Sequence, residues 1–126
     1  MKKLCINTMI VSLNEYIYLE RSHKMAAAEI KKSQTFKVAY LALEQKFTLE
    51  DCLYDVVFNW YKPDNRKDHD NIAFGKKFIL DGLVQAKILK TDSPKQIRNF
   101  KDTFTLDKTR PYVCCDVEFI KVQTND

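Results

Sequence analysis

The spacing of apolar positions changes along the chain, from short runs of β-branched and aromatic residues to longer stretches of helical recurrence. Residues 2–12 (KKLCINTMIVS) are dense in apolar side chains and predict a strand. Residues 12–23 (SLNEYIYLERSH) show no clean period, which predicts a loop holding Asn14 and Tyr16. The segment 24–46 (KMAAAEIKKSQTFKVAYLALEQK) has the alanine, lysine and leucine content of a long helix. Residues 52–61 (CLYDVVFNWY) are aromatic and β-branched and predict a strand, ended by Pro63 and the turn-forming Asp64-Asn65. A second helix is predicted over 70–86, a turn at Asp92-Ser93-Pro94, and strands over 96–106 and 112–122 with a tight connection at Arg110-Pro111. The sum is an α+β fold, a single domain over 1–126 in which two main helices cover a mixed sheet of about four strands.

The helix over 70–86 sorts into two faces on a wheel of about 100° per residue. Ile72, Ile79, Leu83 and Ala86 share one sector, with Gly75 and Gly82 at its edge, and this is the core face. Each glycine costs a helix roughly 1 kcal/mol relative to alanine, which predicts a close approach to the sheet beneath. Asp70, Lys77 and Asp81 fall on the opposite face, within about 40° of one another. Of two neighbouring lysines, only Lys77 shares the acidic stripe. Lys76 lies at the apolar margin.

Composition narrows the class. The 126 residues are 45% hydrophobic and 30% charged, with two glycines and three prolines, which excludes a low-complexity chain. The net charge of +4 leans mildly toward an anionic partner. Six cations stand against two glutamates between Arg21 and Lys46, a run that by itself describes a solvated helix face. The four cysteines form no CxxC pair, so reduced thiols in strands are expected in place of a zinc site. Neither a signal peptide nor a bilayer-length apolar stretch is legible, and a cytoplasmic protein without membrane attachment is expected.

Chemistry concentrates at residues 62–70 (KPDNRKDHD), where Asp64, Asp68 and Asp70 are interleaved with Lys62, Arg66 and Lys67. Asp70 or Asn71 can cap the following helix, and Lys77–Asp81 is an ordinary i, i+4 pair. Capping needs one acid, however, and Asp68 and Asp70 come together. Two convergent carboxylates suit Mg²⁺, a hard cation held by one or two acids plus a phosphate. Flanking cations then hold the phosphodiester. His69 is expected to face away into solvent, Phe74 to be buried in a dimer interface, and Trp60 and Tyr61 to serve packing.

The run RKDHDNIAFGKKFILDGL, followed by ILKTDSPKQI, resembles the RusA family of Holliday junction resolvases, small and often phage-encoded endonucleases. The family pattern is a basic tract, Asp-x-Asp-Asn opening a helix, a lysine and Asp-x-Leu along it, and an acid and Gln-[Ile/Val] beyond. The segment VSLNEYI is similar to the family's Pro-Ser-x-Asn segment, with Val11 in place of proline. The resemblance implies that Asp68, Asp70 and Asp92 bind Mg²⁺, with Mn²⁺ able to substitute. It implies that Lys77, or Lys76 if the helix is aligned one residue differently, is the catalytic lysine. It further implies a symmetric homodimer that nicks four-way junction DNA in recombination and repair. Lys62, Arg66, Lys67 and Lys76, with Lys24, Lys31, Lys32 and Lys37, are expected to contact DNA. The alternatives are a non-catalytic DNA-binding or phage regulatory module, and a nuclease acting on flaps or forks.

Overall fold

The computed structural model describes residues 2–123. The elements follow in the order β1 (Lys2–Ile6), α1 (Leu13–Ser22), α2 (Lys24–Glu44), β2 (Tyr54–Lys62), α3 (His69–Ala73), α4 (Lys76–Gln85), β3 (Ile97–Leu106) and β4 (Cys114–Lys121). The four strands form one mixed sheet in the order β1-β4-β2-β3, with β2 and β3 parallel and the other two pairings antiparallel. The α+β expectation is met.

Alternation along the strands sets which face is covered. Leu4 and Ile6, Tyr54, Val56, Phe58 and Trp60, and Cys115, Val117 and Phe119 are buried beneath the helices, with Ile72, Ile79 and Leu83 packed on them. The opposite face carries Lys3, Cys5, Asn59 and Tyr61, exposed or half-buried. The parallel pair β2–β3 is joined through α3 and α4, the crossover that a parallel connection requires.

Several boundaries differ from the sequence expectation. β1 stops at Ile6, and the expected loop over 12–23 is helix α1. Its start is marked by Ser12 and Glu15: Glu15 Oε1 accepts from the Ser12 hydroxyl at 2.7 Å and from the Ser12 N–H at 3.4 Å. The predicted helix over 70–86 is two helices. At the joint, Gly75, Lys77 and Phe78 each donate to the carbonyl three residues earlier, so the backbone is overwound there. The connection at Arg110-Pro111 is not a hairpin, because β3 and β4 are not neighbours. Residues 107–113 carry the chain past β2, with Arg110 over the Tyr61 ring at 4.5 Å. Cys5 is exposed and Cys52 precedes β2, so only Cys114 and Cys115 match the expectation of buried strand thiols.

The glycine expectation holds in kind but shifts in partner. A Cβ on Gly82 would lie 2.7 Å from Val38 Cβ and 2.9 Å from the Thr35 carbonyl, so the close approach is to α2 rather than to the sheet. Gly75 does face the sheet, where a Cβ would collide with Ile10 and meet Trp60 at 3.3 Å. No helix among the described residues is long and apolar enough to cross a membrane.

Candidate metal and nucleic-acid site

The basic and acidic residues of 62–70 sit where β2 ends and α3 begins. Lys62 is the last residue of β2, and Asp68 occupies the N-cap position of α3 without a side-chain cap bond. Every cation of the tract is engaged. Lys62 Nζ donates to His69 Nε2 at 3.1 Å, Arg66 Nε lies 3.7 Å from Asp64, and Lys67 Nζ donates to Glu15 at 2.8 Å. Burial pushes the Glu15 carboxyl upward, but hydrogen bonds from Lys67 and Ser12 outweigh it and hold the group below its ordinary range. Lys62, Arg66 and Lys67 line one cavity of about 230 Å³ with Pro111, Tyr112 and Val113 from the β3–β4 connection.

His69 is exposed, but it belongs to α3 and does not face away into solvent, which corrects the expectation. Its ring lies flat on Phe104, with centroids 3.8 Å apart and planes 5° from parallel. Phe74 packs on Tyr16 and Phe78 within the chain. Trp60 is fully buried, as expected of a packing residue.

The two lysines part company. Lys76 turns inward: Nζ donates to Asp102 Oδ2 at 2.7 Å, 5.2 Å from the Phe58 ring centroid and 5.0 Å from that of Phe100. Asp102 Oδ1 also accepts from the Trp60 indole N–H at 2.8 Å. Only 23% of the Lys76 side chain is exposed, so of the cations expected to contact DNA it is one that this structure turns inward. Lys77 is 57% exposed and sits 3.9 Å from Asp81, a loose pair.

Asp92 lies elsewhere. It lines a cavity of about 690 Å³ with Asp81, Thr35, Lys31, Lys32 and Lys90, between α2 and the end of α4. Gln96, which follows, lends its carbonyl to the N–H of Tyr54, the first residue of β2. Tyr54 pairs with Ile97 at one end of the parallel ladder and Lys62 with Leu106 at the other. Nine residues of β2 span roughly 26 Å. Asp68 and Asp70 follow the carboxyl end of β2, whereas Asp92 precedes the amino end of β3. Within one chain Asp92 therefore does not join Asp68 and Asp70 at one point, because the crossover α3–α4 carries the backbone down the whole sheet between them. No group of three or more His, Cys, Asp or Glu side chains that could hold a metal forms among the described residues.

The partnering of the aspartates is selective. Asp51 pairs with Lys90, Asp55 with Arg98, Asp64 with Arg66, Asp81 with Lys77, Asp102 with Lys76, Asp107 with Arg110 and Asp116 with Lys3. Among the described residues the aspartates with neither an ion pair nor a side-chain hydrogen bond are Asp68, Asp70 and Asp92. All three are exposed.

Two participants were missed in the sequence. Glu15, which holds Lys67, is signalled by the Ser-x-x-Glu spacing at Ser12. Asp102, which holds Lys76, has no local signal, since 26 residues separate the pair. No protein-family model matches this chain, and no curated protein matches it.

Proposed function

We propose that the protein is a Mg²⁺-dependent endonuclease of the RusA kind, which resolves four-way DNA junctions by paired nicks in strands of like polarity. One observation carries the proposal: the described aspartates left without partners are Asp68, Asp70 and Asp92, the acids that the resemblance assigned to the metal. Helix capping does not account for them, since Asp68 makes no cap bond. Exposed carboxylates on short side chains suit a hard cation that keeps part of its water shell. When bound, Mg²⁺, or Mn²⁺ in its place, supplies Lewis-acid stabilisation of the phosphate and acidifies water.

The chain's own residues do the rest. Lys62, Arg66 and Lys67 exchange their present partners for phosphate oxygens and hold the DNA backbone across the smaller cavity. Lys77, exposed and loosely paired, stabilises charge that develops on the phosphate. Lys31 and Lys32 extend the positive surface beside Asp92. Since one chain holds Asp92 at the far end of its sheet, the acid set closes only between two copies. Each copy offers Asp68 and Asp70 to the Asp92 of the other, and a homodimer has two such sites.

The test is cleavage of a synthetic four-way junction with Mg²⁺. Wild type nicks it, and Asp70→Asn binds the junction without nicking. Binding with no cleavage under Mg²⁺ or Mn²⁺ overturns the proposal in favour of a non-catalytic DNA-binding or phage regulatory module. Faster cleavage of flap or fork DNA at the same salt concentration moves the substrate to those structures.

A further inference from the structure

One corner of the molecule brings stacked rings and cations together. His69, the first residue of α3, lies flat on Phe104 of β3, with ring centroids 3.8 Å apart and planes 5° from parallel. The other parallel ring pair among the described residues, Phe58 on Trp60, is wholly buried. This one is not: Phe104 covers one face of the imidazole, yet His69 is exposed, so its second face is reachable from outside. Lys62 Nζ stands at the rim of the ring, 3.1 Å from Nε2. Arg66, 88% exposed, and Lys67 precede His69 in the same tract. Leu106, 43% exposed on the Phe104 side of β3, extends the apolar surface at the Lys62 end of the ladder.

We infer that the His69–Phe104 stack is a platform for an unpaired nucleobase of a single DNA strand. Every base has a π face, so a flat ring beside cations suits a single strand whatever its sequence. Phe104 backs the imidazole and fixes its plane, so little freedom is lost when a base stacks on the outer face. Lys62, released from Nε2, and Arg66 take the phosphates on either side of that base. A paired base inside a duplex has both faces covered by its neighbours and does not reach the ring. The platform therefore prefers strands with open bases, such as those at ends and branch points. Asp68 and Asp70 flank His69 and repel the phosphates of any strand, but that repulsion is the same whether or not the strand carries bases. The platform needs no metal, and it goes beyond the proposed scission by naming a part of the DNA that the protein reads.

Fluorescence anisotropy in EDTA compares two labelled strands of about twelve residues, an oligothymidylate and an abasic strand with the same number of phosphates. Wild type is expected to bind the thymidylate strand about tenfold more tightly than the abasic one. In His69→Ala the preference falls to about twofold or less. It persists in His69→Phe, which keeps a flat ring and loses the nitrogen that Lys62 meets. Far-UV circular dichroism checks that each variant is folded. Equal affinities for the two strands in wild type overturn the platform. So does an undiminished preference in His69→Ala, or its loss in His69→Phe as well. Failure of the nuclease proposal reads differently. A four-way junction left uncut under Mg²⁺ and Mn²⁺, with the base preference intact, keeps the platform and removes the scission.

Discussion

Lys76 Nζ donates to Asp102 Oδ2 at 2.7 Å, and the bond ties the start of α4 to the edge strand β3 across 26 residues. Asp102 also accepts the buried Trp60 indole, so it cannot move without exposing two donors. Lys76→Ala strands a partly buried carboxylate beside the Phe58 and Phe100 rings. The expected cost is about 2 kcal/mol, several degrees of Tm, measured by thermal unfolding. Lys77→Ala, by contrast, removes a loose surface pair and costs only a few tenths of a kcal/mol. Under the proposed function the pattern in turnover reverses: Lys77→Ala loses most of it, and Lys76→Ala retains it where the variant is folded. Equal losses of activity at fully folded Lys76 and Lys77 variants would refute the assignment of the two roles.

Complementation separates one-chain from two-chain sites. Asp70→Asn and Asp92→Asn are each expected to be inactive alone. Mixed and allowed to exchange subunits, they form dimers in which one site draws intact Asp68 and Asp70 from one copy and intact Asp92 from the other. The expected outcome is recovery of single-strand nicks without paired cuts. No recovery after verified exchange would argue against a shared site.

Gly82→Ala improves helix propensity by roughly 1 kcal/mol, yet it is expected to destabilise. The added Cβ would press on Val38 Cβ and on the Thr35 carbonyl, forcing α2 and α4 apart. Overpacking of this kind costs about 1–3 kcal/mol. Val38→Ala should rescue little, since Val38 Cβ and the Thr35 carbonyl remain. Urea denaturation of the single and double variants checks both statements.

The acid limb of stability should involve Glu15. Its carboxyl is held below the ordinary value of 4.5 by Lys67 and Ser12, against the upward push of burial. A lowered folded value means that the contribution is fully present above about pH 5 and is lost as pH falls through the folded value. Glu15→Gln is expected to be less stable than wild type at pH 7, with the difference shrinking below pH 4.5. A difference that grows toward low pH would contradict the assignment. Asp55, drawn down by hydrogen bonds from Arg98, shifts in the same direction.

Local rules recovered what is local. The alanine- and lysine-rich run became α2, the β-branched run became β2, and Pro63 with Asp64-Asn65 marks where β2 ends. The misread segments were those whose structure depends on contacts outside them. α1 buries no residue fully and was read as loop because its apolar side chains, Tyr16 among them, become legible only once Phe74 and Phe78 are packed against them. The wheel placed Ile72, Ile79 and Leu83 correctly on the core, since those positions follow the helix period within each short helix. It did not show the joint at Gly75, where three-residue hydrogen bonds divide the run into α3 and α4.

The chain by itself determined the types of α2 and the strands, its α+β class and the crowding of Asp68 and Asp70 among cations, because strand alternation, helix propensity and residue adjacency act over a few positions. Tertiary structure decided the partners. It sent Lys76 to Asp102, set Gly82 against Val38, and left Asp68, Asp70 and Asp92 bare at opposite ends of one sheet. The physical reason is the parallel crossover. Joining β2 to a parallel β3 returns the chain to the starting end of the sheet, so acids about twenty residues apart in sequence are separated by the full length of a strand.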